Sequence, residues 1–380
     1  MENLSAEEKL LFSSIKINAN DNDYCKLNTL LSEIHDWNYA EKLLLENNAA
    51  QFLYKKLPFL SDKNLIPESI LANIKQAYLH TFRLNFLLYE EFSKITEVFA
   101  QNSIFVIPLK GIYLAEKLYN DIGLRKMSDI DLLTSENDAQ KCIEILAQNG
   151  YISDNYKSET PEERMIHFPA MRQGEISIEI KSLLNKHQGN LMTEEEIFAR
   201  LQPISLNQTQ CYELEINDLL IFICLHAAKH FYSGYKMNFT SLYDIANILS
   251  TRKINWREVE DKCLKYRCTA EVFNLISLVA YYFDIDIQEV KSNNLENDSI
   301  YLINYLRNRE NQINSGHYIN TLNSFTTFKS KIQYIFSKLL FPSYNYVQKR
   351  YNVRHKFFVF IFYPYRWYLA VKSLLFMQKQ

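Results

Sequence analysis

The chain has 380 residues, and its 42 lysine and arginine residues nearly balance its 44 aspartate and glutamate residues, which leaves a formal net charge of −2. Hydrophobic residues make up 47% of the chain, enough to form a core, so a disordered or fibrous protein is excluded. Only 7 glycine and 8 proline residues occur, and neither a Rossmann-type glycine motif nor a P-loop string is present. The composition therefore disfavours a β-sandwich, a barrel and a glycine-rich nucleotide cradle.

Residues 1–100 are predicted to be helical, because apolar residues recur there at three- and four-residue steps. A stretch that begins at Pro67 keeps this spacing to Phe99, long enough for one long helix or two stacked helices. The same spacing returns at Ile216, so residues 206–310 are predicted to form a second helical region.

Residues 101–205 are the only αβ part that we predict. Short β-branched runs alternate with helical spacing there, and glycines stand where elements end. The predicted strands are 104–109, 128–133, 165–171 and 175–181, and the predicted helices are 112–119 and 137–149. The sequence therefore predicts an α+β fold in which a small mixed sheet is embedded between N- and C-terminal helical regions.

The last part of the chain, residues 311–380, is a basic tail. It contains ten lysine or arginine residues, 18 aromatic residues and no acid, whereas residues 1–310 carry a net charge of −12. Interleaved aromatic and basic residues suit the acidic body of the same chain, an anionic membrane surface, an acidic partner protein or nucleic acid. We rank self-packing first, a membrane surface second and nucleic acid third.

The chain is expected to be cytoplasmic. Its first residues are acidic and lack an apolar run, so we expect no signal peptide. The six cysteines are scattered through apolar stretches and are interpreted as reduced, buried thiols. The basic tail adds a peripheral position at a membrane as an alternative.

Asp129 and Asp131 point most directly to chemistry. Side chains alternate along a strand, so both carboxylates are predicted to lie on one face while Ile130 and Leu132 face the core. Two carboxylates on one face repel each other and favour a divalent cation such as Mg²⁺, which prefers oxygen ligands. The alternative is an exposed edge strand with two solvated aspartates.

Lys110 and Gly111 separate the predicted strand 104–109 from the helix that follows it. A glycine lets a ligand approach the backbone closely, and the unpaired amides at a helix N-terminus bind phosphate. Lys110 would add a positive charge there, and Arg125, just before the aspartates, a second one. The alternative is an ordinary turn between a strand and a helix.

A third carboxylate is predicted on a neighbouring strand. In the segment 175–181 isoleucines alternate with polar residues, so Glu175, Ser177 and Glu179 share the face opposite the core. Next to the two aspartates, Glu179 would complete a set of three carboxylates. Such a set could hold two Mg²⁺ ions, clamp a nucleoside triphosphate (NTP) and deprotonate an acceptor hydroxyl for in-line attack.

Three segments together resemble the family of uncharacterised nucleotidyltransferases, within the DNA polymerase β-like superfamily. They are Leu109-Lys110-Gly111, Arg125-Lys126-Met127-Ser128-Asp129-Ile130-Asp131-Leu132-Leu133 and Ile178-Glu179-Ile180. The superfamily pattern is a strand that ends in Gly-Ser or Gly-Gly, then Asp-x-Asp, then a carboxylate on a later strand. Flanking segments at Trp37-Asn38, 225–230 and 242–246 are similar too, so the resemblance spans roughly residues 25–250.

The resemblance implies a nucleotidyltransferase core within the α+β fold and an NTP as substrate. Asp129, Asp131 and Glu179 would bind two Mg²⁺ ions, and Glu179 would act as the general base or position it. The residues implied in nucleotide binding are Lys110, Gly111, Arg125, Ser128, Lys229 and His230.

Two positions depart from the superfamily pattern. Ile112 stands where a serine hydroxyl usually contacts the triphosphate, so Lys110 and backbone amides would have to replace that contact. Glu179 stands where aspartate is more common, and its extra methylene is compatible with a metal ligand or a base.

His226, Lys229 and His230 lie on one predicted helix, and the two histidines are one turn apart. They could form a zinc pair, although no third ligand is evident in the sequence, or they could close contacts between domains. A helix that contributes Lys229 or His230 to the triphosphate agrees best with the resemblance.

Together these residues predict a Mg²⁺-dependent enzyme of the phosphoryl-transfer class. It would move a nucleoside monophosphate from an NTP to an unidentified hydroxyl on a small molecule or a protein. Two alternatives stay open: a catalytically idle binding or adaptor protein with the same fold, and a toxin-like enzyme that nucleotidylates proteins.

Overall fold

The computed structural model describes residues 4–153, 168–182, 193–232, 237–287 and 295–307, together with residues 363, 364 and 367. Part of the predicted strand 165–171 and almost all of the basic tail lie outside these residues. The partners proposed for the tail therefore stay predictions.

The fold is α+β, as predicted from the sequence, with helical segments before and after a mixed β-region in the chain. The helices are α1 (Ala6–Ser13), α2 (Asp21–Ser32), α3 (Trp37–Glu46), α4 (Ala50–Lys56), α5 (Glu68–Gln101), α6 (Lys110–Lys117), α7 (Glu136–Gln148), α8 (Glu194–Phe198), α9 (Ile216–Tyr232), α10 (Phe239–Thr251), α11 (Trp256–Lys265), α12 (Thr269–Tyr282) and α13 (Leu295–Arg307). In the described part of the chain, no helix combines the length and the apolar character needed to cross a bilayer.

Two short 3-10 helices, Leu57–Phe59 and Lys63–Leu65, precede α5, and seven short strands are described. The strands are β1 (Ile107–Leu109), β2 (Ile130–Leu133), β3 (Ile152–Ser153), β4 (Met171–Gln173), β5 (Ile176–Lys181), β6 (Gln202–Leu206) and β7 (Thr209–Glu213). The chain divides into two compact units. The first comprises Met1–Ala228 and Asn238–Leu306 and contains all of the strands, whereas the second comprises Lys229–Met237 and Arg307–Gln380.

The first five strands form a mixed sheet in the order β1-β2-β5-β4-β3. Strand β2 runs antiparallel to β1 and parallel to β5, and the other pairs are antiparallel. The register places Leu109 opposite Asp131 and Asp131 opposite Glu179. Three neighbouring strands therefore bring the segments singled out in the sequence to one row of the sheet.

One face of this sheet is apolar, as the alternating isoleucines predict. Ile130, Leu132, Ile178 and Ile180 are buried in one core cluster. The same cluster takes in Phe92, Ile95 and Phe99 of α5 and Ala139, Cys142 and Leu146 of α7. Packing against these helices fixes which face of β2 and β5 is left for polar side chains.

Strand β1 is shorter than the predicted strand 104–109. Its ladder with β2 ends at the pair Ile107 and Leu133. Beyond that pair the hydroxyl of Thr134, not a backbone amide, donates to the carbonyl oxygen of Phe105 at 2.8 Å. At this point a side-chain hydrogen bond stands where a backbone ladder bond would extend the strand. The β-branched and aromatic composition of residues 104–109 does not predict where the ladder ends.

The prediction that residue 206 begins a helical region was wrong. Strands β6 and β7 form an antiparallel hairpin that extends the αβ region to Glu213. Its turn residues, Asn207 and Gln208, both have positive φ angles, 46° and 63°. A two-residue turn of this kind usually contains glycine, so Gln208 gave no turn signal in the sequence.

The loop between α6 and β2 is tied to α5 by one buried amide. Asn85 donates from Nδ2 to the carbonyl oxygens of Ile122 and Arg125, and its Oδ1 accepts from the backbone N–H of Met127 at 3.2 Å. Because this side chain is buried, losing any of these bonds would leave a polar group unpaired. Asn85 thereby sets the path of the chain into β2.

A buried ion pair holds the same loop to α10. The Arg125 guanidinium donates to both carboxylate oxygens of Asp244, with Nη2 to Oδ2 at 2.7 Å and Nε to Oδ1 at 2.9 Å. The Tyr119 hydroxyl donates to the same Oδ1 at 2.9 Å. Both charged side chains are almost fully buried. The bidentate geometry gives both carboxylate oxygens a charged donor. Removing either partner would leave the other charge buried and unpaired, which destabilises the fold.

Replacing Asp244 with alanine is expected to destabilise the fold strongly, because the charge of Arg125 would stay buried without its partner. The expected loss is about 3–5 kcal/mol in the free energy of unfolding. Urea unfolding followed by circular dichroism measures it, and the double variant Arg125→Met/Asp244→Leu should recover part of the loss.

Lys141→Ala is the matched control, since it removes an exposed bridge to Asp138 one helical turn away. It should cost no more than about 0.5 kcal/mol. An equal loss in Asp244→Ala and Lys141→Ala would show that the buried pair holds the loop no more strongly than a surface bridge does.

Candidate active site

The three carboxylates singled out in the sequence lie together. Asp129, Asp131 and Glu179 each offer an oxygen within 4.8 Å of the others. Asp131 and Glu179 are register partners on β2 and β5. The predicted strand 128–133 begins two residues later in the structure, at Ile130, so Asp129 lies just before β2. Among the described residues, this triad is the only group of three or more histidine, cysteine or acidic residues close enough to hold a metal ion.

Two lysines lie against the triad. Lys181 Nζ is 2.7 Å from Asp131 Oδ1 and 2.6 Å from Glu179 Oε2, so one ammonium joins two carboxylates. Lys110 Nζ is 2.9 Å from Asp131 Oδ2 and 3.0 Å from its Oδ1. Asp131, which is only 3% exposed, therefore has both of its oxygens in ion pairs.

These lysines determine the charge state of Asp131. Burial disfavours its charged form, but attraction to Lys110 and Lys181 and hydrogen bonds from both hold the pKa of Asp131 well below its usual range. Burial also disfavours the charged form of Lys181, yet attraction to Asp131 and Glu179 raises the pKa of this lysine above its usual value. Asp131 is thus a carboxylate, and Lys181 an ammonium, throughout the physiological pH range.

Asp129 has the opposite electrostatic environment. Burial, together with repulsion from Asp131 and Glu179, raises its pKa to about 6, although Lys110 and Lys181 oppose this shift. Its carboxylate accepts a hydrogen bond from the exposed Ser128 hydroxyl at 3.2 Å. No lysine or arginine of the described chain makes an ion pair with it. The negative charge of the triad is therefore incompletely balanced at Asp129.

The strand-to-helix junction at Lys110 and Gly111 has an unusual backbone. Lys110 has a φ of 46°, a left-handed conformation that is rare without glycine and is often found at functional sites. The next residue, Gly111, was predicted to let a ligand approach. Instead, the space beside its Cα is filled: a Cβ there would lie 2.6 Å from Arg125 Nη1 and 2.7 Å from Met127 Cγ. Any larger residue at position 111 would clash with the side chains of Arg125 and Met127, so packing favours glycine there.

Arg125 does not have the surroundings predicted for a triphosphate contact. Burial disfavours its charge, but attraction to Asp244, and more weakly to Asp129, raises the pKa of the guanidinium. Its Nε and Nη2 are both committed to Asp244. A buried carboxylate such as Asp244 must be paired with a cation, and Arg125 is that cation. The pair fixes the loop that leads to Asp129.

Lys229 and His230 lie in the last turn of α9, where Lys229 is exposed. Both belong to the second compact unit, and their contact with a triphosphate stays a prediction. The zinc pair considered for His226 and His230 has no third ligand among the described residues.

Sequence reasoning missed Lys181 as a site residue. The signal was present, because Lys181 lies two positions after Glu179, and alternation along β5 gives both side chains the same face. Its side chain is only 11% exposed and joins Asp131 to Glu179. The sequence does not show that partnership, because it depends on the register between β2 and β5.

Comparison with curated proteins and with solved structures gave no match. The sequence model of the family described as uncharacterised nucleotidyltransferases matches residues 34–284. The matched range contains α5, the five-stranded sheet, the carboxylate triad and both of its lysines. It is about two thirds of the chain, so the protein belongs to the uncharacterised nucleotidyltransferase family.

Proposed function

We propose that the protein transfers a nucleoside monophosphate from an NTP to a hydroxyl group of an acceptor, with Mg²⁺ as cofactor. The observation that carries this proposal is the carboxylate triad on adjacent strands of a chain that belongs to this family. The family supports nucleotidyltransferase activity in general. The metal, the NTP and the acceptor class are our proposals.

The residues of the triad fit a magnesium ion. Carboxylate oxygens are hard ligands of the kind that Mg²⁺ prefers, and three of them converge within 4.8 Å. Burial, together with repulsion from Asp131 and Glu179, raises the pKa of Asp129 to about 6, so a cation beside its carboxylate would stabilise the charged form. Asp129, Asp131 and Glu179 would hold the ion, which would polarise the α-phosphoryl group and neutralise charge on the triphosphate.

The remaining chemistry is positioning and proton transfer. The acceptor oxygen would attack the α-phosphorus in line, the bond from that phosphorus to the bridging oxygen would break, and pyrophosphate would leave. The hydroxyl proton would pass to a carboxylate of the triad, and we assign Glu179 to accept it or to position the group that does. Its oxygen already accepts a hydrogen bond from Lys181 at 2.6 Å, which fixes its orientation.

The triphosphate would lie at the start of α6. Lys110 supplies positive charge there, and the first backbone amides of α6, including that of Gly111, are not used within the helix. Ile112 is buried in the core and offers no hydroxyl. Ser128, which is exposed beside Asp129, is the nearest hydroxyl we would assign to the nucleotide. Lys229 and His230 are further candidates.

One observation favours a second function, that of a catalytically idle binding protein. Both oxygens of Asp131 are already paired with lysines, so part of the charge that would attract a metal is neutralised within the chain. An idle protein of this kind would bind no NTP in a Mg²⁺-dependent way. Nucleotidylation of a protein, the toxin-like alternative, is one acceptor choice within the proposed activity.

Mg²⁺-dependent NTP binding is expected in the wild type and should be lost in the double variant Asp129→Asn/Asp131→Asn. Even residues that only support a metal ligand commonly change affinity by roughly tenfold or more, so loss of two ligands should exceed that. Calorimetry with each NTP, with and without Mg²⁺, measures it.

Glu175→Gln is the matched control, because Glu175 is an exposed acid just before strand β5. It should bind as the wild type does. Asp129→Asn alone should not lower the melting temperature at neutral pH, because an acid whose pKa is raised on folding opposes folding once it is ionised, and the amide removes that charge. Equal binding by the double variant and the wild type would show that the site is assigned wrongly.

The affinity for Mn²⁺, used as a probe for Mg²⁺, should depend on pH through Asp129. With a pKa of about 6 in the metal-free protein, its carboxylate must lose a proton before it can bind metal. Affinity should be constant above pH 7 and fall about tenfold for each pH unit below 6. Titrations from pH 5 to 8 measure this, and Asp129→Asn should remove the dependence.

Transfer itself is tested with NTPs labelled at the α-phosphate and a cell extract. We expect Mg²⁺-dependent incorporation of label with the wild type. With Asp129→Asn/Asp131→Asn the rate of incorporation should be lower by roughly a hundredfold or more, because the metal would no longer stabilise the transition state. Treating the product with protease or nuclease shows the acceptor class. NTP binding without any transfer in several extracts would favour the idle protein.

A further inference from the structure

Lys181 places a positive charge between two of the three carboxylates of the triad. Its ammonium lies between Asp131 and Glu179, at 2.7 Å and 2.6 Å from one oxygen of each. These two carboxylates are register partners on adjacent strands, so the gap between them is set by the sheet. The Asp131–Glu179 edge of the triad is therefore already bridged by a positive charge.

The Asp129 corner of the triad differs. Its described hydrogen bond comes from the neutral hydroxyl of Ser128, and both lysines at the site direct their ammonium groups to Asp131. Three carboxylates and two ammonium groups leave one negative charge uncompensated. With one divalent ion at the Asp129 side, the net charge of these groups would change from −1 to +1. With two ions it would be +3, in a site where Asp131 is buried.

The Lys181 ammonium is also held between Asp131 and Glu179 by its surroundings, so a metal ion would not easily displace it. Lys181 lies at the end of β5, an interior strand of the sheet, and its side chain is only 11% exposed. An ammonium that left both carboxylates without reaching water would be buried and unpaired, which is strongly unfavourable. Lys110, by contrast, lies at the start of a helix, in the position proposed for the triphosphate.

We propose that Lys181 takes the place of one of the two divalent ions predicted from the sequence, so that the site binds a single Mg²⁺ ion at the Asp129 side of the triad. This inference rests on the proposed function. Lys181 then acts as a fixed cation that neutralises Asp131 and orients Glu179. The reaction would proceed with one metal ion for each bound NTP.

The number of bound ions tests this proposal without measuring activity. Mn²⁺ is titrated into the full-length protein together with an α,β-methylene NTP analogue, which binds as a triphosphate but cannot transfer its nucleotide. Electron paramagnetic resonance counts the bound ions and detects magnetic coupling between neighbouring ones. We expect one uncoupled Mn²⁺ in the wild type and two coupled ions in Lys181→Met.

Two further variants isolate the role of the charge. Lys181→Arg keeps a cation between the carboxylates and should bind one ion. Lys126→Met removes an exposed lysine three positions before Asp129 and should also bind one. Circular dichroism checks that each variant is folded, and Lys181→Gln replaces Lys181→Met if the latter is not.

Each result decides the matter. Two coupled ions in the wild type would overturn the inference and leave the proposed function intact, as would a single ion in the folded Lys181→Met or Lys181→Gln variant. If neither variant folds, the count in the wild type decides alone. No bound Mn²⁺ in the wild type, with or without the analogue, would overturn the proposed function itself.

Discussion

Mutual repulsion of three carboxylates within 4.8 Å is the constraint on which the site depends. The sheet register brings Asp131 and Glu179 side by side, and the loop before β2 adds Asp129. A cluster of like charges with a buried member such as Asp131 is tolerated only where positive charge offsets it. Lys110 and Lys181 supply that charge unequally, because both pair with Asp131 and neither pairs with Asp129. The residual charge at Asp129 leaves the triad with excess negative charge at that corner, and the metal site that we propose rests on this excess.

The loop that carries Asp129 is held from two sides. On one side the buried amide of Asn85 binds three backbone groups, and on the other Arg125 is locked to Asp244 on α10. Gly111 leaves room for the Arg125 side chain to pass. Helices α5 and α10, from the segments that flank the αβ region in the chain, therefore hold the loop that positions the Asp129 carboxylate.

Local patterns predicted the parts of the fold that local physics controls. Alternating isoleucines identified the buried face of β5, and apolar spacing with a stop at Gly150 identified α7 within one residue at each end. The Gly150 φ of 87° is the left-handed conformation that ends such a helix. The hairpin at Asn207 and Gln208 was missed because both turn residues have a positive φ although neither is glycine, a conformation that local residue preference does not predict at Gln208.

By itself the sequence determined which side chains share a face, because the two-residue period of a strand is local: Asp131, Glu179 and Lys181 could all be placed by counting. Only the tertiary structure decided which charges pair. Arg125 and Asp244 are 119 positions apart, and the Lys181 ammonium pairs with Asp131 on the adjacent strand. Such partnerships depend on register and helix packing between distant segments. For that reason the sequence did not show that Arg125 pairs with Asp244, or that Lys181 pairs with Asp131 and Glu179.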